Sequence, residues 1–119
     1  MNLSNISIGT DIEENIRFNG LDRNKDSNFL KKIFSDSEIE YCFSKKEPTQ
    51  HLAVRFAAKE AVIKAVSVFE DKVPAFNNIE IKMNKKNVPY IKIKGYDIKI
   101  TLSHCKDKSL AFVVMSKVK

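Results

Sequence analysis

Four groups of residues in this chain have types and spacings that could carry chemistry. Asp11 follows Gly9-Thr10 at the end of an alternating apolar segment. A carboxylate there either ligates a hard cation or closes a strand in solvent. Glu60 and Lys64 stand four apart in a long run that reads as helix, so they share one face. On a solvated face that spacing makes an ion pair worth about 0.3–0.5 kcal/mol; on a buried face it calls for further ligands. Ser103 and His104 are adjacent at the end of another alternating segment. Neighbouring strand residues point to opposite faces, so the two are not a nucleophile–base pair, and the same holds for His104-Cys105. Serine and histidine are nevertheless both good donors to a phosphate. Arg17, Arg23, Lys25, Lys31 and Lys32 form a basic set in the first third of the chain, either plain solvated surface or a docking patch for an acidic partner. Two separated carboxylates, a lysine and a Ser-His pair suit metal-assisted chemistry on a phosphate. There is no Gly-rich phosphate loop of Walker or dinucleotide type. With only two histidines and two cysteines, the metal would be oxygen-ligated, such as Mg²⁺, rather than zinc.

These groups need elements to position them. Ile6 to Ile12 alternates apolar and polar residues and reads as a strand. After the polar stretch Asn19 to Asn28, the stripe Phe29, Leu30, Ile33 and Phe34 reads as helix. Ser35-Asp36-Ser37-Glu38 has capping-box spacing, so a new short helix begins at Asp36 and carries Ile39, Cys42 and Phe43 inward, with Pro48 ending that unit. From Thr49 to about Phe69 a helix is apolar nearly all round: Ala53, Ala57, Ala61 and Ala65 make a smooth i+4 ladder, and Leu52, Phe56, Ile63 and Val66 cover another side. Such a helix is central and buried, yet it carries Arg55, Lys59, Glu60 and Lys64. Buried charges cost several kcal/mol each unless paired or liganded, and a conflict of that kind marks a functional site. The last third alternates as strands around Ile79/Ile81/Met83, Ile91/Ile93 and Ile98/Ile100/Leu102, joined by tight turns at Asn84–Asn87 and Gly95-Tyr96. Leu110 to Met115 is apolar on both faces, as in a central or interface-covered strand. The expected fold is α+β, an antiparallel meander sheet packed on a central buried helix with smaller helices before it, in a single domain over residues 1–119.

Composition sets the outer bounds. A chain of 119 residues with 43% hydrophobic and 30% charged residues can bury a real core, which excludes wholesale disorder. No apolar run approaches the ~20 residues of a membrane span, and the first residues lack the pattern of a secretory signal. Cys42 and Cys105 read as reduced thiols, giving a cytosolic expectation. The net charge of +6 favours an anionic partner: nucleic acid, a phosphorylated cofactor or an acidic protein.

The same residues, in the same order, resemble the holo-[acyl-carrier-protein] synthases, the small 4′-phosphopantetheinyl transferases. Ile8-Gly9-Thr10-Asp11-Ile12 with Arg17 downstream resembles the family's opening G-x-D-[IV] motif. Phe34-Ser35-Asp36-Ser37-Glu38 is similar to F-[ST]-x-x-E. Arg55-Phe56-Ala57-Ala58-Lys59-Glu60-Ala61 with Lys64-Ala65 matches the central W/R-F-A-x-K-E-A…K-A, and Ile100-Thr101-Leu102-Ser103-His104 resembles the terminal I-S-x-S-H. The matches span residues 8 to 104. Two places differ: Ser67 to Lys72 has no glycine where the family usually turns on one, and Asn87-Val88-Pro89 stands for G-K-P.

The resemblance implies transfer of the phosphopantetheine arm from coenzyme A to a serine of an apo acyl carrier protein, with release of adenosine 3′,5′-bisphosphate. By the same resemblance Asp11 and Glu60 would ligate Mg²⁺, Lys64 and Lys59 would meet the diphosphate, and Ser103 and His104 would meet the nucleotide. Glu60, or water activated by Mg²⁺, would take the serine proton. Arg17, Arg23, Lys31 and Lys32 would dock the acidic carrier protein, and the chain would form a homotrimer with its clefts between subunits. Transfer to a specialised carrier protein is the alternative substrate. A non-catalytic basic domain that binds nucleic acid is the alternative class, opposed by the lack of tryptophan and of basic runs interleaved with exposed aromatics.

Overall fold

The computed structural model describes residues 2–118. Its centre is helix α3, Pro48–Val66. Pro48 does not merely end the unit before it; it occupies the first turn of α3, where its missing N–H and fixed φ cost nothing. One side of α3 lies against a three-stranded antiparallel sheet of order β1-β5-β4, made by Ile6–Glu14 (β1), Lys108–Lys117 (β5) and Tyr96–His104 (β4). The other side holds a 3-10 turn, Asn15–Phe18, and two short helices, α1 (Ser27–Ile33) and α2 (Asp36–Phe43). The capping box of α2 forms as expected: Glu38 N–H donates to Ser35 Oγ at 3.2 Å, and Ser35 N–H donates to Glu38 Oε1 at 2.9 Å.

Of the apolar alternation between Ile79 and Ile93, Lys82–Met83 (β2) and Pro89–Tyr90 (β3) pair as a separate two-stranded ribbon, and Ile93 makes an isolated bridge to Tyr96. Ile79, Ile81 and Ile91 are buried all the same, which is what their pattern encodes. The turn between these strands uses Asn87 in the left-handed region (φ 60) and Asn84, whose Oδ1 accepts from Lys86 and Val88 N–H.

Strand β5 is the middle strand, as its two apolar faces predict. Ala111, Val113 and Met115 are fully buried against α3, while Leu110, Phe112 and Val114 face outward, each more than a third exposed. Strand β1 is turned the other way from a simple apolar-in reading. Its helix-facing row is Ser7, Gly9, Asp11 and Glu13, and its isoleucines Ile6, Ile8 and Ile12 point away from the core. The cause is the alanine ladder. Ala61 and Ala65 let β1 approach so closely that a Cβ at Gly9 would stand 1.9 Å from the Ala61 carbonyl oxygen. At the next inward position, Ser7 Oγ donates to the Ala65 carbonyl at 2.8 Å. Only a small or polar row fits this seam.

Gly9→Ala is accordingly expected to lose about 3 kcal/mol of stability, at the upper end of overpacking costs, because backbone rather than a flexible side chain blocks the methyl. Urea denaturation reads this directly; an unchanged midpoint would contradict the close approach.

Candidate functional site

The seam between β1 and α3 brings the sequence's acidic and basic candidates together. Lys64 does not pair with Glu60 along its helix. Its Nζ reaches the strand, donating to the Thr10 carbonyl at 2.9 Å and lying 3.5 Å from Asp11 Oδ1. Glu60, one turn earlier on the same helix flank, is therefore carried to the Asp11 side of the seam. It has no cationic partner within 4 Å among the described residues. The other oxygen of Asp11, Oδ2, is buried and accepts no hydrogen bond. A buried carboxylate oxygen without a donor is costly, and a bound cation would remove that cost.

Among the described residues, no three His, Cys, Asp or Glu side chains cluster tightly enough to hold a metal by themselves. A cation here would rest on one or two carboxylates and take its remaining ligands from water and substrate oxygens. Mg²⁺ is usually bound in that way, so the donor set fits it.

Glu13, two residues beyond Asp11 on the same face, is a further carboxylate in the seam that the sequence analysis passed over. Burial and the adjoining Asp11 carboxylate push its pKa up to about 7, with the Arg17 guanidinium pulling the other way. Arg17 donates through Nη1 to Glu13 Oε1, and its guanidinium lies 5.2 Å from the Phe56 ring centroid and 5.8 Å from that of Phe18. Arg23, Lys31 and Lys32 are exposed on and before α1, where Arg23 and Lys31 border a hollow of about 340 Å³ with Asp36 and Glu40.

Lys59, the second candidate for anion neutralisation, has its ammonium partnered within the chain. It is completely buried, and all three of its ammonium donors are used: Glu38 Oε1 at 2.7 Å, the Phe76 carbonyl at 2.9 Å and the Ile79 carbonyl at 2.5 Å. Glu38 is itself completed by Ile81 N–H at 3.0 Å, so the pair ties α2, α3 and the approach to β2 together. Burial holds the Lys59 pKa below the ordinary lysine range, against the pull of Glu38.

Ser103 and His104 face opposite sides of the sheet. Ser103 stands in register with Leu110 and Ile12 and so faces the outer side of the sheet. His104 is in register with Ser109 and Glu13, on the side of Asp11 but two strands away, about 10 Å by strand spacing.

A further cleft lies elsewhere. It spans about 580 Å³ between α2, α3 and the β2–β3 ribbon, lined by Tyr41, Arg55, Glu80, Lys82 and Tyr90 among others. Arg55 is its signature. The side chain is buried, Nη1 reaches only the His51 carbonyl at 3.2 Å, the guanidinium lies 4.3 Å from the Tyr41 ring centroid, and Nε has no partner. No carboxylate stands within 4 Å of it among the described residues. The sequence had flagged Arg55 as a charge in an apolar helix without giving it a role; the missing partner is visible only in three dimensions. This cleft is not lined by Asp11, Glu60 or Lys64.

The Glu13 shift sets a pH dependence. From an ordinary value of 4.5 in the unfolded chain to about 7 when folded, the folded state binds the extra proton, so this contribution to stability is present at low pH and lost as pH rises through about 7. In chelator, Glu13→Gln should be more stable than the parent near pH 8, with the difference closing toward about pH 4.5. Equal urea midpoints at both pH values would contradict the placement of Glu13.

Comparison with known proteins agrees with this geometry. Residues 7–114 match the family model of the 4′-phosphopantetheinyl transferase superfamily. The chain is 40% identical to the holo-[acyl-carrier-protein] synthase of Thermodesulfovibrio yellowstonii, covering 92% of this chain and 96% of that protein. It is 36% identical to that of Leptospira biflexa, covering 94% and 97%. Among solved structures, the Helicobacter pylori holo-[acyl-carrier-protein] synthase in complex with coenzyme A superposes with a TM-score of 0.77 at 31% identity, covering 92% of this chain and 99% of that one. The Bacillus anthracis enzyme in complex with CoA (3′,5′-ADP) gives 0.79 at 29% identity, covering 94% and 96%. The family-model match over residues 7–114, with relatives 36–40% identical over nearly the whole chain, places this protein in the 4′-phosphopantetheinyl transferase superfamily, among its holo-[acyl-carrier-protein] synthases.

Proposed function

We propose that the protein transfers the 4′-phosphopantetheine arm of coenzyme A to a serine hydroxyl of an apo acyl carrier protein, with adenosine 3′,5′-bisphosphate as the second product. The observation that carries this reading is the Asp11 carboxylate, held beside Lys64 with its second oxygen buried and unsatisfied. Asp11 and Glu60 are the residues that would hold Mg²⁺. Bound there with the diphosphate of coenzyme A, Mg²⁺ supplies charge neutralisation at the reacting phosphorus and on the leaving bisphosphate. Lys64 is anchored by the Thr10 carbonyl and keeps a largely exposed stem; it would meet the diphosphate oxygens. Glu60, or water activated by Mg²⁺, would accept the serine proton. Arg55, a buried cation without a counter-charge facing a cleft, supports placing a nucleotide phosphate there.

The separation of the Arg55 cleft from the Asp11 seam supports a site completed by a second copy of the chain. Ile8, Ile12, Leu110, Phe112 and Val114 form one exposed apolar face, with Ser103 at its margin over Ile12 and Leu110. We propose that this face is covered in a homotrimer, so that Ser103 of one copy meets the nucleotide held by its neighbour. His104 faces the inner side and would close the same crevice from its own chain.

Incubation with apo acyl carrier protein, coenzyme A and Mg²⁺ should add one phosphopantetheine mass to the carrier, and a chelator should stop the addition. Asp11→Asn and Glu60→Gln should each lower kcat/KM by about 10³-fold, the scale of losing one group aimed at developing charge, with the fold kept. Near-parental rates in both variants would contradict the metal assignment. For assembly, light scattering should give three times the 13.6 kDa chain mass, and Phe112→Glu should give monomers that no longer transfer the arm. A parent protein that is monomeric yet fully active would contradict the shared site.

A further inference from the structure

We infer that Glu13 is a positioning residue for carrier-protein docking: it holds the Arg17 guanidinium as a preoriented fork at the edge of the Asp11 site. This rests on the proposed transfer to an acyl carrier protein. An arginine side chain that is 59% exposed ordinarily samples many rotamers, and ordering it on binding costs affinity. Arg17 is instead held on three sides. Glu13, whose own side chain is only 9% exposed, accepts from Nη1, and the rings of Phe56 and Phe18 lie under the guanidinium. Glu13 is fixed in turn because it belongs to the inward row of β1, in register with the fully buried Ser109.

Arginine has five N–H donors in a planar fork. Among the described residues Arg17 uses only Nη1 in a hydrogen bond, so the rest of the fork stays open toward solvent, where a carboxylate of an acidic partner can take two parallel bonds. The location gives the device its purpose. Glu13 contacts Arg17 and adjoins Asp11, so an acidic segment gripped by Arg17 is held near the carboxylate where its serine must arrive. Arg23, Lys31 and Lys32 show no ion pair among the described residues. They act as mobile steering charges rather than as a register mark.

The test uses the full-length protein with Mg²⁺ and coenzyme A, and compares the parent with Glu13→Gln, Arg17→Ala, Arg17→Lys and the Glu13→Gln/Arg17→Ala pair. Glu13→Gln and Arg17→Lys should each raise KM for apo acyl carrier protein about threefold, the scale of one partly exposed charge pair, with KM for coenzyme A unchanged and kcat within about twofold. Arg17→Lys keeps the charge but loses fork and stacking, and should fall close to Arg17→Ala. In the Arg17→Ala background Glu13→Gln should add nothing, which a merely structural role for Glu13 would not produce. The inference is overturned if Arg17→Ala raises KM for the carrier while Glu13→Gln and Arg17→Lys do not, or if Glu13→Gln acts equally with and without Arg17. If Arg17→Ala leaves that KM unchanged, the docking role of Arg17 falls and the inference with it. Absence of transfer by the parent itself overturns the underlying function, a result visible before any variant is compared.

Discussion

The close approach of one strand to one helix governs this molecule. Gly9 rests on the Ala61 carbonyl, and Ser7 bonds the Ala65 carbonyl, so β1 and α3 meet nearly backbone to backbone. Side chains of ordinary apolar size do not fit between them. Two consequences follow from that constraint. The inward row of β1 must be small or polar, which puts Asp11 and Glu13 into the seam. Its isoleucines must face outward, where with Leu110, Phe112 and Val114 they make an apolar surface that one chain leaves uncovered.

The charges on α3 then sort by whether the chain itself satisfies them. Lys59 is the satisfied kind, closed by Glu38 and two carbonyls. Breaking such a buried pair leaves an uncompensated charge, a cost of about 3–5 kcal/mol, so its role is to hold α2 and the approach to β2 in place. Arg55, Glu60 and Lys64 are the other kind. Among the described residues Arg55 has an unpaired Nε and Glu60 has no cationic partner, while Lys64 leans on a carbonyl and the edge of Asp11. A helix with little solvated face holds such groups at a cost unless something else completes them. A polyanionic nucleotide with a divalent cation has the right charges for all three.

Much of the fold was legible in the sequence because it follows from local rules. The capping box at Ser35 and Glu38, the all-round apolar α3, the two-faced Leu110 to Met115 strand and the Asn84–Asn87 turn all appear as their residue patterns require. What was not legible depends on tertiary distance. Alternation identifies β1 as a strand, but period 2 alone does not say which set of side chains faces the core; the alanine ladder decided that. The same holds for the site. Spacing pairs Glu60 with Lys64, whereas the structure sends Lys64 to Asp11. A motif lysine at position 59 looks like an anion contact until its three buried partners are seen. Glu13 and Arg55 carry no motif-level signal for their contacts, and strand alternation puts Ser103 and His104 on opposite faces without saying which face meets the helix.

The central claim is that the seam carboxylates, not the cleft beside Arg55, hold the divalent ion. Crystals grown with coenzyme A and Mn²⁺ test it through the anomalous scattering of the metal. The account predicts a single strong peak within bonding distance of Asp11 and Glu60, with diphosphate oxygens completing its shell. A metal bound among Glu80, Tyr41 and Arg55, with Asp11 and Glu60 uninvolved, would contradict it.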